Sequence, residues 1–208
     1  MASEIERADG LARALANAGL IQFGRFAQPS GGAWPVAVHL DWLPSYPDLL
    51  RQTARALIPL LDGLGADRVL AAPGALPIGV ALGLEAGVPL VYAVNQKPGG
   101  ADAFAIEGAY DVGHPTVLLS NLLLDAAQAQ ALVALAGRVG LEVRALLAVM
   151  DLGLGARDAL EARGWSVRCP LTLAGALPAL EAAGALPPGM GARVRAWIES
   201  CRRDPACG

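Results

Sequence analysis

Two polar residues in the first quarter of the chain have a spacing that suits chemistry. His39 and Asp41 are two residues apart on a predicted strand, so their side chains would point to the same side. Such a pair could bind a metal ion or act as an acid/base couple. We prefer a plainer interpretation, a histidine at a hairpin edge followed by a loop aspartate. Trp34, Trp42 and Tyr46 lie nearby and could stack on a ring, although core packing explains them equally well.

A second group of candidate residues follows an apolar run that ends at Leu119. Ser120 and Asn121 come next, and three leucines separate them from Asp125. Ser120 or Asn121 can cap a following helix, and that cap is the role we expect for them. A phosphate or carboxylate could also bind at the helix N-terminus, but Asp125 in its first turn would repel the anion.

The remaining reactive side chains show no chemical pattern. Cys169, Cys201 and Cys207 are an odd set without a metal-ligand spacing, which suggests a reducing compartment. Cys201 and Cys207 could pair near the C-terminus, but we expect free thiols. His114 precedes Pro115 in a predicted loop, where we expect it to be solvated.

Composition indicates a folded α/β protein. Of the 208 residues 54% are hydrophobic and 17% are charged, which is far from the composition of a disordered chain. The net charge is -3 and the Lys and Arg residues are scattered, so the sequence predicts no nucleic-acid partner. The first residues lack the basic start and apolar run of a signal peptide, and we expect a cytoplasmic protein.

One stretch has the composition of a membrane span. In residues 69–94 Glu85 is the only charged residue. Pro73, Pro77 and Pro89 and four glycines would break a helix there repeatedly. We therefore predict strand, loop, helix and strand, with Pro73 and Gly74 in a loop at the carboxyl edge of a sheet, and no membrane partner.

The other segments alternate between helical and extended patterns. We predict a first helix that ends at Gly19 and a second that begins near Ser45, with a hairpin of strands 21–27 and 34–40 between them. Short apolar runs predict buried parallel strands, and longer segments between them predict crossover helices. The predicted strands are 68–72, 89–94, 116–120, 143–150 and 166–169, and the predicted helices are 75–85, 122–139, 156–163, 177–183 and 191–200.

These elements predict a doubly wound parallel sheet with a small N-terminal hairpin hood. The hood is expected in about residues 20–42 of a domain that ends at 183. Residues 184–208 are expected to form a C-terminal helical extension that packs on the same domain.

Several motifs resemble, in order, those of the orotate phosphoribosyltransferase family over roughly residues 11–180. Phe23-Gly24-Arg25-Phe26 and Ser30-Gly31 resemble the entry to the family's hood. Residues 65–69 and 75–81 resemble the strand and helix that flank its pyrophosphate loop. Ile106-Glu107-Gly108 and Val149-Met150-Asp151 resemble two further family segments. The resemblance implies a type I phosphoribosyltransferase fold and a homodimer.

The chain departs from the family where the phosphoribosyl group would bind. The family's acid pair aligns with Ser120 and Asn121, and its Thr- and Gly-rich phosphate loop aligns with Leu-Asp-Ala-Ala at 124–127. Lys97 is the one residue that could correspond to the family's cations. We prefer the alternative that Lys97 is a solvated loop lysine. Asp151 keeps its match, but the arginine that usually follows it is Leu152.

These losses predict a catalytically degenerate relative. The family's reaction depends on Mg²⁺, cations and backbone amides that neutralise the departing pyrophosphate. We expect a chain that binds a nucleotide, base or other small ligand. The alternatives are an active orotate phosphoribosyltransferase with an unusual loop, which would use Mg²⁺, or a partner-binding structural module. The expected ligand-binding residues are Pro73, Gly74, Lys97, Ser120, Asn121, Asp125 and Asp151.

Overall fold

The structure is a computed structural model, and it describes residues 3–28, 32–96 and 103–203. The chain begins with α1 (Glu4–Asn17), whose first turn is closed by a capping box between Ser3 and Glu6. A hairpin of β1 (Ile21–Ala27) and β2 (Ala33–Val38) follows. The other elements are α2 (Pro47–Leu57), β3 (Arg68–Ala71), α3 (Leu76–Ala86), β4 (Leu90–Asn95), β5 (Phe104–Glu107), β6 (Pro115–Leu123), α4 (Ala127–Arg138), β7 (Glu142–Asp151), α5 (Ala156–Glu161), β8 (Ser166–Arg168), β9 (Leu171–Thr172), α6 (Leu173–Ala182) and α7 (Met190–Arg203).

Seven of the described strands form the central sheet. Its order is β5-β4-β3-β6-β7-β8, and β9 pairs with β7 beyond the end of β8. All of these pairs are parallel except that of β4 with β5, an antiparallel edge strand that the sequence analysis missed. The doubly wound parallel sheet is confirmed, and the predicted hairpin lies outside it as a separate two-stranded sheet.

The direction of winding reverses between β3 and β6. The connection through α3 leads from β3 to β4 on one side, and the connection through α4 leads from β6 to β7 on the other. Because parallel crossovers are right-handed, these opposite steps place α3 and α4 on opposite faces of the sheet. In sheets of this kind a crevice opens at the reversal point, at the carboxyl ends of the strands.

Close packing holds α3 to the sheet. A Cβ atom added to Gly79 would lie 3.0 Å from the Cβ of Ala71 and 3.0 Å from Cδ1 of Leu90. The absence of a side chain at this position therefore lets the helix approach the strands. The stretch predicted as strand, loop, helix and strand has that structure, and none of the described helices is long and apolar enough to cross a membrane.

Helix α7 packs against both the hairpin and the loop that follows β7. Trp197 packs against Trp34 of β2, with ring centroids 5.3 Å apart, and Ile198 lies next to Gly153 in the loop after β7. Core packing is thus the role of Trp34. In contrast, Trp42 and Tyr46 are 46% and 39% exposed.

Candidate functional site

The crevice between β3 and β6 brings three of the expected site residues together, Pro73, Gly74 and Asn121. Pro73 and Gly74 form a short 3-10 turn directly after β3. The carboxamide of Asn121 lies against this turn, because a Cβ added to Gly74 would be 3.1 Å from Asn121 Nδ2. Its Oδ1 accepts a hydrogen bond from Leu122 N. The Asn121 side chain thus occupies space at the reversal point of the sheet.

Strand β6 continues past the position where we expected it to end. Its pairing with β7 extends to the Leu123–Asp151 pair, so residues 122–126 do not belong to the following helix. Ser120 lies within the strand, pairs with Ala148 and is 8% exposed. The prediction that Ser120 or Asn121 caps the helix is therefore wrong, since α4 begins only at Ala127.

Asp125 closes the N-terminus of α4. Its Oδ1 atom accepts hydrogen bonds from Ala127 N at 2.7 Å and from Gln128 N at 3.4 Å. These amides lie at the positive end of the helix dipole, where a bound anion would otherwise gain most. The carboxylate occupies these donors and places a negative charge in front of them.

Asp151 is buried in an ion pair rather than open to the crevice. Its Oδ2 atom accepts a hydrogen bond from Arg157 Nε at 2.7 Å, and its Oδ1 atom accepts one from Gly153 N at 2.8 Å. Arg157 also donates to the carbonyl of Val167. Burial, the largest single cause, would lower the pKa of Arg157, but the hydrogen bond to Asp151 and the charges of the neighbouring acidic groups together outweigh it, and the pKa is raised. These contacts give Asp151 a structural role.

Some of the other expected positions lie outside the described residues, and others lie within them. Lys97 and the Ser30-Gly31 motif lie outside the described residues. The strand predicted for His39 ends at Val38, and Asp41 lies in a 3-10 turn. The two residues therefore do not share a strand face, and the His39 ring stacks on Trp42 with centroids 4.1 Å apart.

The cysteine prediction is correct in part. Cys169 is a free thiol, and burial raises its pKa to about 11. Cys201 is buried and disulfide-bonded, contrary to the expectation of free thiols. Cys207 lies outside the described residues.

His114 and Arg68 form a polar cluster at the opposite edge of the sheet. The expectation of a solvated His114 is wrong, because its Nδ1 lies 3.1 Å from Asp67 Oδ2 and its side chain is only 27% exposed. Arg68, which the sequence analysis did not single out, is 9% exposed. An arginine at the start of an otherwise apolar strand was the signal that could have identified it.

Comparisons with known proteins give the family. No family model matches the chain. It is 31% identical over 173 residues to the orotate phosphoribosyltransferase of Halobacterium salinarum, and the match covers 82% of the chain and 97% of the relative. The chain belongs to the orotate phosphoribosyltransferase family.

Two longer proteins match the chain over only part of their own length. The match to the Nostoc bifunctional enzyme PyrF/PyrE has 26% identity and covers 79% of the chain but 35% of that enzyme. The structure of Leishmania donovani UMP synthase superimposes with a TM-score of 0.84 at 29% identity, covering 93% of the chain and 42% of that structure. The chain thus spans about a third to two fifths of these two relatives.

An active orotate phosphoribosyltransferase is expected to use Mg²⁺, but the crevice offers few side chains that could bind this ion. The positions that the sequence resemblance assigns to the family's two acids hold Ser120 and Asn121, and Asp125 is engaged with backbone amides. Within residues 3–28, 32–96 and 103–203, no group of three or more His, Cys, Asp or Glu side chains is placed to hold a metal ion. Hard cations such as Mg²⁺ bind through carboxylates and phosphates. The described residues therefore do not fit this ion.

Proposed function

We propose that the chain is a non-catalytic member of its family that has kept the fold and binds a small ligand. The contact between Asp125 and the first amides of α4 carries this proposal. In an active member, those amides and their loop would receive a phosphate group. Here the side chain of the protein itself supplies the anion.

The course of β6 supports the same conclusion. The strand remains hydrogen-bonded to β7 as far as Leu123, and only residues 124–126 separate it from α4. This short connection contains no glycine that would let the backbone amides turn toward a phosphate. Removing one donor of this kind commonly costs ~3 kcal/mol of transition-state stabilisation, and several are absent together.

A cleft beside Asp125 is the place where we propose that the ligand binds. It has a volume of about 530 Å³, within the range of small-molecule sites. Helix α7 contributes Arg202, whose guanidinium is paired with Asp158. The other lining residues are mostly small and apolar, which favours a base or nucleoside over a polyphosphate. They are Leu124, Ala126, Leu154, Gly155, Ala156, Ala159 and Cys201.

Activity is tested by release of pyrophosphate from orotate and phosphoribosyl pyrophosphate with Mg²⁺. We expect no turnover from the wild-type chain or from the double variant Ser120→Asp, Asn121→Asp. The double variant restores both acids, but Asp125 still occupies the amides of α4. Parts of an active site that act as a unit give little gain when only one is restored. Steady turnover of ~1 per second by the wild-type chain would overturn the proposal in favour of an active enzyme.

Ligand binding is tested by thermal shift with bases, nucleosides and nucleotides, each without Mg²⁺. We expect a rise in Tm with one of these classes, and we expect Ala159→Trp to abolish it by filling the cleft. Ala134→Trp is the matched control, because Ala134 is exposed on α4 and does not line the cleft. A shift that survives Ala159→Trp would place the ligand elsewhere, and no shift with any ligand would favour a partner-binding module.

We also propose that the chain forms a homodimer through α3 and the turn before α2. Large apolar side chains are exposed on these elements, including Leu84 at 82%, Val80 at 45% and Trp42 at 46%. Burying such a patch against a second copy stabilises a dimer. Light scattering should give twice the mass of one chain, and Leu84→Glu should give monomers. Ile5→Glu, at a residue 73% exposed on α1, should leave the mass unchanged. A wild-type monomer at micromolar concentration would refute the proposal.

A further inference from the structure

The carboxylate at the N-terminus of α4 uses only one of its two oxygens within the fold. Asp125 Oδ1 accepts hydrogen bonds from Ala127 N at 2.7 Å and from Gln128 N at 3.4 Å, which engages both of its lone pairs. In the part of the chain that the structure describes, Oδ2 has no hydrogen-bond partner and no ion pair. Asp125 is exposed and lines the cleft of about 530 Å³ beside α4. It therefore offers the cleft an acceptor whose position is fixed by the helix.

The charges around this cleft disfavour an anionic ligand. Among the described residues that line it, Asp125 and Arg202 are the charged ones. The guanidinium of Arg202 donates to Asp158 Oδ2, so that pair contributes little net charge. The negative charge of Asp125 remains, and the positive end of the α4 dipole offsets only part of it. A ligand that donates a hydrogen bond suits this group, whereas a phosphate or carboxylate would be repelled.

The remaining walls of the cleft suit the face of a ring. They consist mainly of small aliphatic side chains, and Leu124 and Leu154 are the largest of them. Sites for small molecules are typically apolar and carry a few polar groups that fix the orientation of the ligand. A flat ring can bury its faces against these walls, and one polar group at its edge can then reach Asp125.

We propose, building on the ligand cleft proposed above, that Asp125 selects a heteroaromatic ligand that carries an exocyclic amine. The amine donates a hydrogen bond to Asp125 Oδ2, and the ring packs against Leu124 and Leu154. Adenine and cytosine carry such an amine, whereas hypoxanthine and uracil have a carbonyl oxygen at the same position. An oxygen there would face the carboxylate as a second acceptor with no proton between them. Asp125 is thus a residue that determines specificity.

Calorimetric titration with two matched pairs of nucleosides tests this selection. Adenosine and inosine are similar in shape, as are cytidine and uridine, and the first member of each pair carries the amine. We expect the wild-type chain to bind at least one amine nucleoside about ten times more tightly than its carbonyl partner, because the hydrogen bond to a charged acceptor is lost with the carbonyl. Equal affinity within every pair that binds, or a preference for the carbonyl partner, would overturn the proposal.

Asp125→Asn should reverse the preference. Asparagine is a good N-cap, and its oxygen can keep the hydrogen bonds from Ala127 N and Gln128 N, so the fold and the cleft should persist. Its amide nitrogen then takes the place of Oδ2 and donates where the carboxylate accepted. We expect the carbonyl nucleoside to bind several-fold more tightly than its amine partner. Loss of structure would weaken both partners alike and cannot produce a reversal. A variant that keeps the wild-type preference would overturn the proposal.

Asp48→Asn is the matched control for the change of charge. Asp48 also lies in the first turn of a helix and is fully exposed, but it does not line the cleft. This variant should bind all four nucleosides as the wild-type chain does. If it changes the preference as much as Asp125→Asn does, the net charge of the protein rather than a contact with Asp125 selects the ligand, and the proposal fails.

Failure of the selection and failure of the ligand cleft give different results. Nucleosides that bind without discrimination and lose binding in Ala159→Trp would refute the role of Asp125 and leave the cleft in place. Binding that survives Ala159→Trp would place the ligand elsewhere and overturn both proposals. If the wild-type chain binds none of the four nucleosides, the selection of an amine is wrong, while a thermal shift with another ligand that Ala159→Trp abolishes would still support the cleft.

Discussion

Asp151→Asn removes the negative charge that Arg157 faces at the end of β7. The Asp151 side chain is 5% exposed and that of Arg157 is 27% exposed, and they are 2.7 Å apart. The asparagine oxygen can still accept the hydrogen bond from Gly153 N, so the variant tests the charge pair itself. Arg157 keeps the carbonyl of Val167 but loses its nearest carboxylate.

The structure indicates a loss of about 2 kcal/mol in the free energy of unfolding. Leaving one member of a fully buried ion pair without its partner costs about 3–5 kcal/mol. Arg157 is a quarter exposed and also lies 3.6 Å from the exposed Glu161, so water and this second carboxylate reduce the cost. For a chain of this size, about 2 kcal/mol corresponds to a fall in Tm of roughly 4–8 °C.

Urea unfolding measures the loss, and a matched control lies on the same strand. Glu142 and Arg144 form an exposed pair near the beginning of β7, with side chains 52% and 53% exposed. Glu142→Gln should change stability by less than about 0.5 kcal/mol. The double variant Asp151→Asn, Arg157→Met should lose less than the sum of its single variants. If Asp151→Asn costs no more than Glu142→Gln, the structural role given to Asp151 is wrong.

Three further outcomes follow from single contacts. The rate at which Cys169 reacts with iodoacetamide should rise with pH along a titration curve whose inflection lies at pH about 11, whereas in the unfolded chain the inflection lies near 9.0. Because the native pKa is raised, the free energy of unfolding should fall as pH rises between these two values. A native inflection near 9.0 would contradict the burial of the thiol. Asp125→Ala should cost about 1 kcal/mol in urea unfolding by removing the acceptor for the first amides of α4, and no loss would argue against that contact. Gly79→Ala should destabilise the chain, because the added Cβ would press on Leu90. Gly10→Ala should stabilise it by about 0.5–1 kcal/mol, because a Cβ added there meets no atom within 4 Å. A change in the free energy of unfolding of the same sign for both variants would refute the close packing of α3.

Local patterns along the chain were sufficient to predict the order of the main elements. Apolar runs of strand length alternate with helical segments, and parallel strands need crossovers of that length. The stretch with three prolines was correctly assigned to strand, turn, helix and strand because proline breaks a helix wherever it lies in the fold. That Ser120 and Asn121, and no acid, follow Leu119 is likewise visible in the residue types alone.

Contacts between distant segments decided the rest. Strand β6 extends to Leu123 because β7 continues beside it to Asp151, and a partner strand 28 residues away leaves no local signal. That extension removes Ser120 from the helix cap and leaves the role to Asp125. His114 and Arg68 meet only because β3 and β6 begin at the same edge of the sheet. Residue types set which groups could bind or ionise, but the pairing of strands set which groups meet, since each hydrogen-bonded register fixes side chains far apart in the sequence.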